Sequence, residues 1–199
     1  MFKKIFIIPC FFIPCLTFAQ PVCNSEEECL TLAKQNNIEA QSELGELYYS
    51  SKKGVTEQYQ NALTWFEKSA TAGNEKAQYY LGQMYYLGRG VKADYNEAAG
   101  WFSKSAIAGN EKAQYHLGRM YYQGEGVKTD YHKAAEWFSK SATAGNEEAQ
   151  YYLGICYYYG KGVAKDSVAA KEWFTKAVDK GYEQAKHYLE LIKGNEGNE

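Results

Sequence analysis

Three histidines, a Ser-x-x-Lys tetrad, three Gly-x-Gly segments and five cysteines are the groups in this 199-residue chain that could carry chemistry. His116, His132 and His187 have no histidine, cysteine or carboxylate pair beside them at the spacing that holds a metal ion. Ser50 to Lys53 matches the motif of a serine acylated by β-lactams, the chemistry of β-lactamases and penicillin-binding proteins. That chemistry also needs a Ser-Asp-Asn or Lys-Thr-Gly partner, and the chain contains neither. Gly88-Arg89-Gly90, Gly124-Glu125-Gly126 and Gly160-Lys161-Gly162 lack the frame and the Lys-Ser/Thr ending of a phosphate loop, so they are expected to be turns. No catalytic residue, metal or cofactor is expected, and the chain is not expected to be an enzyme.

The cysteines divide by compartment. Lys3 and Lys4 precede an apolar run from Ile5 to Leu16, and Thr17-Phe18-Ala19 supplies small residues at the first and third places of a cleavage site. The run is too short to span a bilayer and is broken by Pro9 and Pro14. Residues 1–19 are therefore expected to be a signal peptide cleaved after Ala19, delivering the protein to the periplasm or beyond the cell. Lipidation is the rival outcome for Cys10, Cys15 and Cys23, but Pro9, Pro14 and Val22 stand where acylation needs a small residue. Cleavage discards Cys10 and Cys15. In an oxidising compartment Cys23 and Cys29 could close a short loop that pins a capping segment at 20–39; the alternative is two free thiols. Without the two signal lysines, 20 basic residues face 24 acidic ones. That balance argues against nucleic acid or an anionic membrane as partner, and no membrane insertion is expected after cleavage.

The elements that must position any site follow from a repeat. Ala77-Gln78-Tyr79-Tyr80-Leu81-Gly82 returns 36 residues on at Ala113 and again at Ala149, and Trp101-Phe102 returns at Trp137 and Trp173 with the same step. An earlier copy begins at Ala40 and a partial one at Ala185. The expected units are 40–76, 77–112, 113–148, 149–184 and a half-unit 185–193, followed by a disordered polar tail at 194–199. Each unit reads as two helices. Gly73 ends one helix and Asn74 caps the next, Ala77, Leu81, Met84 and Tyr85 share its inner face, and Asp94 caps the second helix, which carries Ala98, Trp101, Phe102 and Ala106 inward. Gly82 is expected to let neighbouring helices approach closely. Tyr121, Tyr157 and Cys156 fall at core positions. No unit buries its own apolar face, so stability must be shared between stacked copies.

This pattern, Ala77…Leu81-Gly82…Tyr85…Gly88-x-Gly90-Val91…Asp94…Ala98…Trp101…Ala106…Gly109, resembles the Sel-one-like repeat family, which is related to the tetratricopeptide repeats. The resemblance covers about Ala40 to Lys193. It implies an all-α, right-handed superhelical solenoid of antiparallel helix pairs, with first helices lining a concave face and a role as adaptor or scaffold. The first copy departs locally, with Ser50-Ser51 for the first turn glycine and Gln58 for the capping Asp. Some cysteine-rich relatives have been linked to β-lactams, but their cysteine pair in each repeat is absent here.

Positions the repeat does not need for packing lie opposite the core face. They are Tyr79, Gln83 and Tyr86, then Tyr115, Arg119 and Tyr122, then Tyr151, Ile155 and Tyr158, with Ser42, Glu46 and Tyr49 in the first copy. His116 replaces a tyrosine on the flank of this tyrosine-lined trough and is assigned to recognition. Tyrosine and arginine give large contact areas with polar tips, as binding hot spots require. The expected role is an exported, monomeric scaffold that holds a protein or peptide on its concave face. The alternatives are a periplasmic immunity protein that neutralises a toxic effector, and a weak β-lactamase or penicillin-binding protein.

Overall fold

The computed structural model describes residues 22–51 and 55–196, and among these are ten helices and no strand. The expected signal segment with Cys10 and Cys15, Lys53 of the Ser-x-x-Lys tetrad and the last three residues lie outside the described residues. First helices are α2 (Ile38–Ser50), α4 (Glu75–Leu87), α6 (Glu111–Gln123) and α8 (Glu147–Tyr159). Each is followed by a second helix: α3 (Val55–Thr71), α5 (Tyr95–Ile107), α7 (Tyr131–Ala144) and α9 (Ser167–Asp179). The short α1 (Glu26–Lys34) precedes the array and α10 (Ala185–Glu196) closes it. Every helix packs chiefly on its chain neighbours, which makes the molecule a solenoid of helix pairs.

Local chemistry sets the boundaries. Asn37, Asn74, Asn110 and Asn146 each accept from the amide of an alanine three residues on, at 2.7–3.0 Å. Asp94, Asp130 and Asp166 cap the second helices in the same way. Gly73 holds φ at +99°, so that the Asn74 amide turns back onto the Ser69 carbonyl at 3.1 Å. The first copy differs where its sequence does. With Gln58 in place of an aspartate, nothing halts the helix at that point. α3 starts at Val55 and runs 17 residues against the 13 of α5.

Two helices of one repeat meet where a glycine faces a phenylalanine. A Cβ on Gly82 would lie 2.7 Å from Phe102 Cδ1, and Gly45, Gly118 and Gly154 face Phe66, Phe138 and Phe174 at 2.6–2.7 Å. Those four phenylalanines are fully buried. A recurring glutamine then ties each repeat to the one before. Gln41, Gln78, Gln114 and Gln150 donate Nε2 to the carbonyls of Ala33, Ala70, Ala106 and Ala142, at 3.1–3.2 Å. These carbonyls belong to last helical turns, where each also accepts from the backbone amide three residues on at 3.1 Å, so the glutamine adds a second bond. α1 supplies Ala33 and so stands in for the second helix of a preceding repeat. Ser69, Ser105 and Ser141 make the matching bond within a repeat, to the carbonyls of Ile38, Glu75 and Glu111 at 2.6–2.8 Å.

Two expectations change. The tryptophans are not core residues: Trp65, Trp101, Trp137 and Trp173 are half-buried, each under the ammonium of the lysine three residues on, at 3.6–4.4 Å. The ring covers the preceding core with one side while the amphipathic lysine covers the other. At the C-terminus α10 continues through Gly194 to Glu196, into the stretch expected to be disordered, because Ile192 is buried and anchors the last turns.

The glycine contacts make a testable contrast. Gly82→Ala drives a methyl into Phe102 and is expected to lower stability by about 1–3 kcal/mol. Gly100 sits in α5 with nothing within 4 Å of its would-be Cβ, so Gly100→Ala should stabilise by about 0.5–1 kcal/mol. Thermal unfolding of the two variants should move in opposite directions.

Candidate protein-interaction face

First helices of successive repeats touch through their rings. Tyr49 meets Tyr80 at 5.4 Å, Tyr79 meets His116 at 5.8 Å, and Tyr115 meets Tyr152 and Tyr151 meets Tyr188 at 5.9 Å each. Among the described residues no such ring contact joins successive second helices, which is what the inner side of a curved array requires. The structure thus gathers the sequence-derived positions along one surface, although not all of them remain open to a partner.

Tyr79 keeps only 9% of its surface and Ile155 7%. Tyr79 lies against Tyr80, Phe102 and His116, and its hydroxyl accepts from Gln83 Nε2 at 2.6 Å; burial pushes its pKa up to about 12. Ile155 packs into the core that holds Phe174 and Ala170. Both are spent on packing. His116 is too. Its ring stacks on Phe102 at 4.9 Å and 7°, as Tyr80 stacks on Phe66, Tyr152 on Phe138 and Tyr188 on Phe174. Burial, with a smaller contribution from nearby Arg119, pushes the His116 pKa down to about 4. It is a neutral ring held by stacking, half-buried like its tyrosine neighbours.

Tyr49, Tyr86, Tyr115, Tyr122, Tyr151 and Tyr158 are half-buried and keep an edge in water. Several are steadied by residues that sequence reasoning dismissed as turn filler. The residue between the turn glycines reaches back to the preceding first helix. Arg89 Nη1 donates to the Tyr49 hydroxyl at 2.6 Å, Glu125 Oε2 accepts from the Tyr86 hydroxyl at 2.7 Å, and Lys161 Nζ donates to the Tyr122 hydroxyl at 3.0 Å. The second turn glycine permits the approach, since a Cβ on Gly126 or Gly162 would fall 2.0 or 1.9 Å from the carbonyl oxygen of Tyr95 or Tyr131. The available signal was that all three intervening residues are long and charged.

The remaining position, once per first helix, varies in kind. Glu46 pairs with Lys76 at 2.6 Å and accepts from the Tyr80 hydroxyl at 3.2 Å; Gln83 serves Tyr79; Arg119 lies 5.8 Å over Tyr115. Tyr115 is pushed up to about 12, mainly by burial.

Elsewhere the reactive groups are committed. Cys156 is buried in the core and its thiol is pushed up to about 12 by burial. Cys23 and Cys29 form a disulfide with Cα atoms 5.1 Å apart, and Glu43 accepts from the Val22 and Cys23 amides beside it at 2.8 and 3.2 Å. Among the described residues this is the one group of metal-binding side chains within mutual reach, and the disulfide occupies both sulfurs. Ser50 Oγ donates to the Glu46 carbonyl at 2.7 Å in the last turn of α2. His132 and His187 are exposed on α7 and α10. No described helix is long and apolar enough to cross a membrane.

The Sel1 repeat family matches four times in succession, at residues 38–74, 75–110, 111–146 and 147–182, the same period as the helix pairs. The chain belongs to the Sel1 repeat family. Sel1 repeats are generally protein-interaction scaffolds rather than enzymes. Among solved structures, a protective antigen of uropathogenic Escherichia coli with an SLR fold is 36% identical at a TM-score of 0.73, with 80% of this chain and 34% of that one covered. This chain therefore spans about a third of that antigen. A Sel1 repeat protein from Oxalobacter formigenes is 27% identical at a TM-score of 0.70, covering 84% and 75%. The cysteine-rich protein B of Helicobacter pylori, 24% identical at 0.54 and covering 70% and 100%, shares the fold. No curated protein sequence matches.

The stacked histidine gives the Sel1 array a pH dependence. Between pH 6.5 and 4 the unfolded chain takes up a proton at His116 that the folded chain refuses, so stability falls as the pH drops through this window and is unaffected above it. The loss should reach about 3 kcal/mol. His116→Tyr, which restores the residue of the neighbouring repeats, should remove this component from denaturant titrations at pH 7 and pH 4.

Proposed function

We propose that the chain is exported and that its Sel1 array holds a protein or peptide along the inner, first-helix face. The observation that carries this reading is a division of labour within the repeat. Residues that hold the helices together in every copy, such as Gly82, Phe102 and Gln78, are buried. Residues that change from copy to copy, Glu46, Gln83 and Arg119 with the half-exposed tyrosines around them, share the inner surface. Invariable packing with variable display is how a repeat array acquires a specific partner. Ile155 and Tyr79 do not contribute to that surface, and Arg89, Glu125 and Lys161 do.

Placing a photo-crosslinking amino acid at Gln83 or Tyr158, and as controls at the outward residues Ile107 (74% exposed) and Val168 (68% exposed), tests the face directly. Crosslinks to one polypeptide from the first pair alone are expected. Crosslinks only from Ile107 and Val168 would transfer the interaction to the second helices.

Export has its own support in the N-terminal residues: two lysines, an apolar run and the small residues ahead of Gln20. Intact-mass measurement of the protein recovered from the envelope or medium should give a chain beginning at Gln20. A chain retaining Met1 in the cytoplasm overturns this part of the proposal.

A further inference from the structure

We propose that Arg119 anchors a carboxylate of the bound polypeptide at the centre of the inner face. The inference rests on the scaffold reading and narrows it. It comes from comparing one position across the four first helices. Glu46 is neutralised by Lys76 and bonded to Tyr80; Gln83 is bonded to Tyr79; Ile155 is buried. In each case the side chain is satisfied from within the chain. Arg119 has only neutral partners. Its Nη2 makes two contacts of 3.5 Å, to the Tyr86 hydroxyl and Gln123 Oε1, the side chain also meets the Tyr115 hydroxyl, and its Nε is buried with no hydrogen-bond partner. No ion pair among the described residues includes it. Glu125, which also approaches the Tyr86 hydroxyl, spends an oxygen on it.

A half-buried guanidinium has lost hydration that a carboxylate restores with two parallel charge-assisted bonds, and arginine presents the planar fork that such pairing needs. The Tyr115 ring beneath it and the Tyr86 hydroxyl beside it wall the approach and would add contact to the flanking peptide. The acceptor is an aspartate or glutamate side chain, or a C-terminal carboxylate. Both present the same two oxygens.

The chain contains two arginines, Arg89 and Arg119, and Arg89 is already engaged with Tyr49, stacking over Tyr49 and Tyr59 at 5.3 and 5.6 Å. It is an internal control. The side-chain Nε–H signals of the two arginines should be followed by NMR during titration with N-acetyl-aspartic acid α-amide, N-acetyl-alanine and, as neutral control, N-acetyl-asparagine amide. A saturable displacement of the Arg119 signal by the acids, with Arg89 and the neutral control unmoved, is the expected result, and whichever acid acts at lower concentration identifies the source of the carboxylate. Parallel displacement of both arginines, or of neither, overturns the proposal.

A second arm uses immobilised heptapeptide libraries that carry aspartate or asparagine at the centre. Wild-type protein should retain the acidic library about ten-fold better, Arg119→Gln should abolish the preference with unfolding temperature unchanged, and Arg119→Lys should restore part of it. Equal retention of both libraries by the wild type sinks the carboxylate anchor while leaving the scaffold reading intact. Retention of neither library counts against the scaffold reading, and the NMR arm still decides Arg119.

Discussion

A phenylalanine ring whose edge rests on the bare backbone of a glycine sets the separation of the two helices in every repeat. The same ring offers its face to the next repeat. Phe102 touches Gly82 within its own unit and lies under His116 of the following one, and Phe66, Phe138 and Phe174 do the same with Tyr80, Tyr152 and Tyr188. One side chain therefore fixes three helices. Stacking of this kind adds about 0.5–1.5 kcal/mol to the burial of the ring itself. Because the contact recurs at each junction, the array is built from nearest-neighbour interfaces and contains no single central core.

Polar groups are arranged around that contact so that few helix ends are left unpaired. Asparagine caps the first helix and aspartate the second, while glutamine closes the last turn of the preceding helix. The buried serine of each second helix returns to the start of the first. These bonds account for the Asn-x-x-Ala-Gln segment that punctuates the sequence: it is the seam between repeats. The turn residues extend the seam to the inner surface, where Arg89, Glu125 and Lys161 hold tyrosines of the repeat before. The inner face is thus braced, with its aromatic rings held by neighbours before any ligand arrives, and such preorganisation lowers the ordering cost of binding.

Variation on this frame is confined to a few sites. Replacing tyrosine by histidine at position 116 leaves the ring stack intact but introduces a group whose burial favours the neutral form. Replacing aspartate by glutamine at position 58 removes a helix stop, and α3 lengthens at its start. Placing arginine at 119, among tyrosines and without an ion pair among the described residues, leaves a charge on the inner face whose pairing the array itself does not complete. The first two changes are absorbed by packing or by backbone, whereas the third points outward from the fold.

The sequence by itself determined the repeat, the two helices in each unit, their caps and the glycine contacts, because all of these depend on residues close in the chain or on a strict period of 36. It also placed the variable positions on one helical face, since a helix converts spacing directly into direction. Only the tertiary structure decided which members of that face stay open. Ser42, Tyr79 and Ile155 are buried, the His116 ring is stacked on Phe102 of the preceding repeat, Arg89, Glu125 and Lys161 join the face from turns 39 or 40 residues away, and the tryptophans sit half out of the core beneath lysines. A helical wheel has no information about the neighbouring repeat, and in a solenoid it is the neighbour that determines whether a side chain is glue or surface.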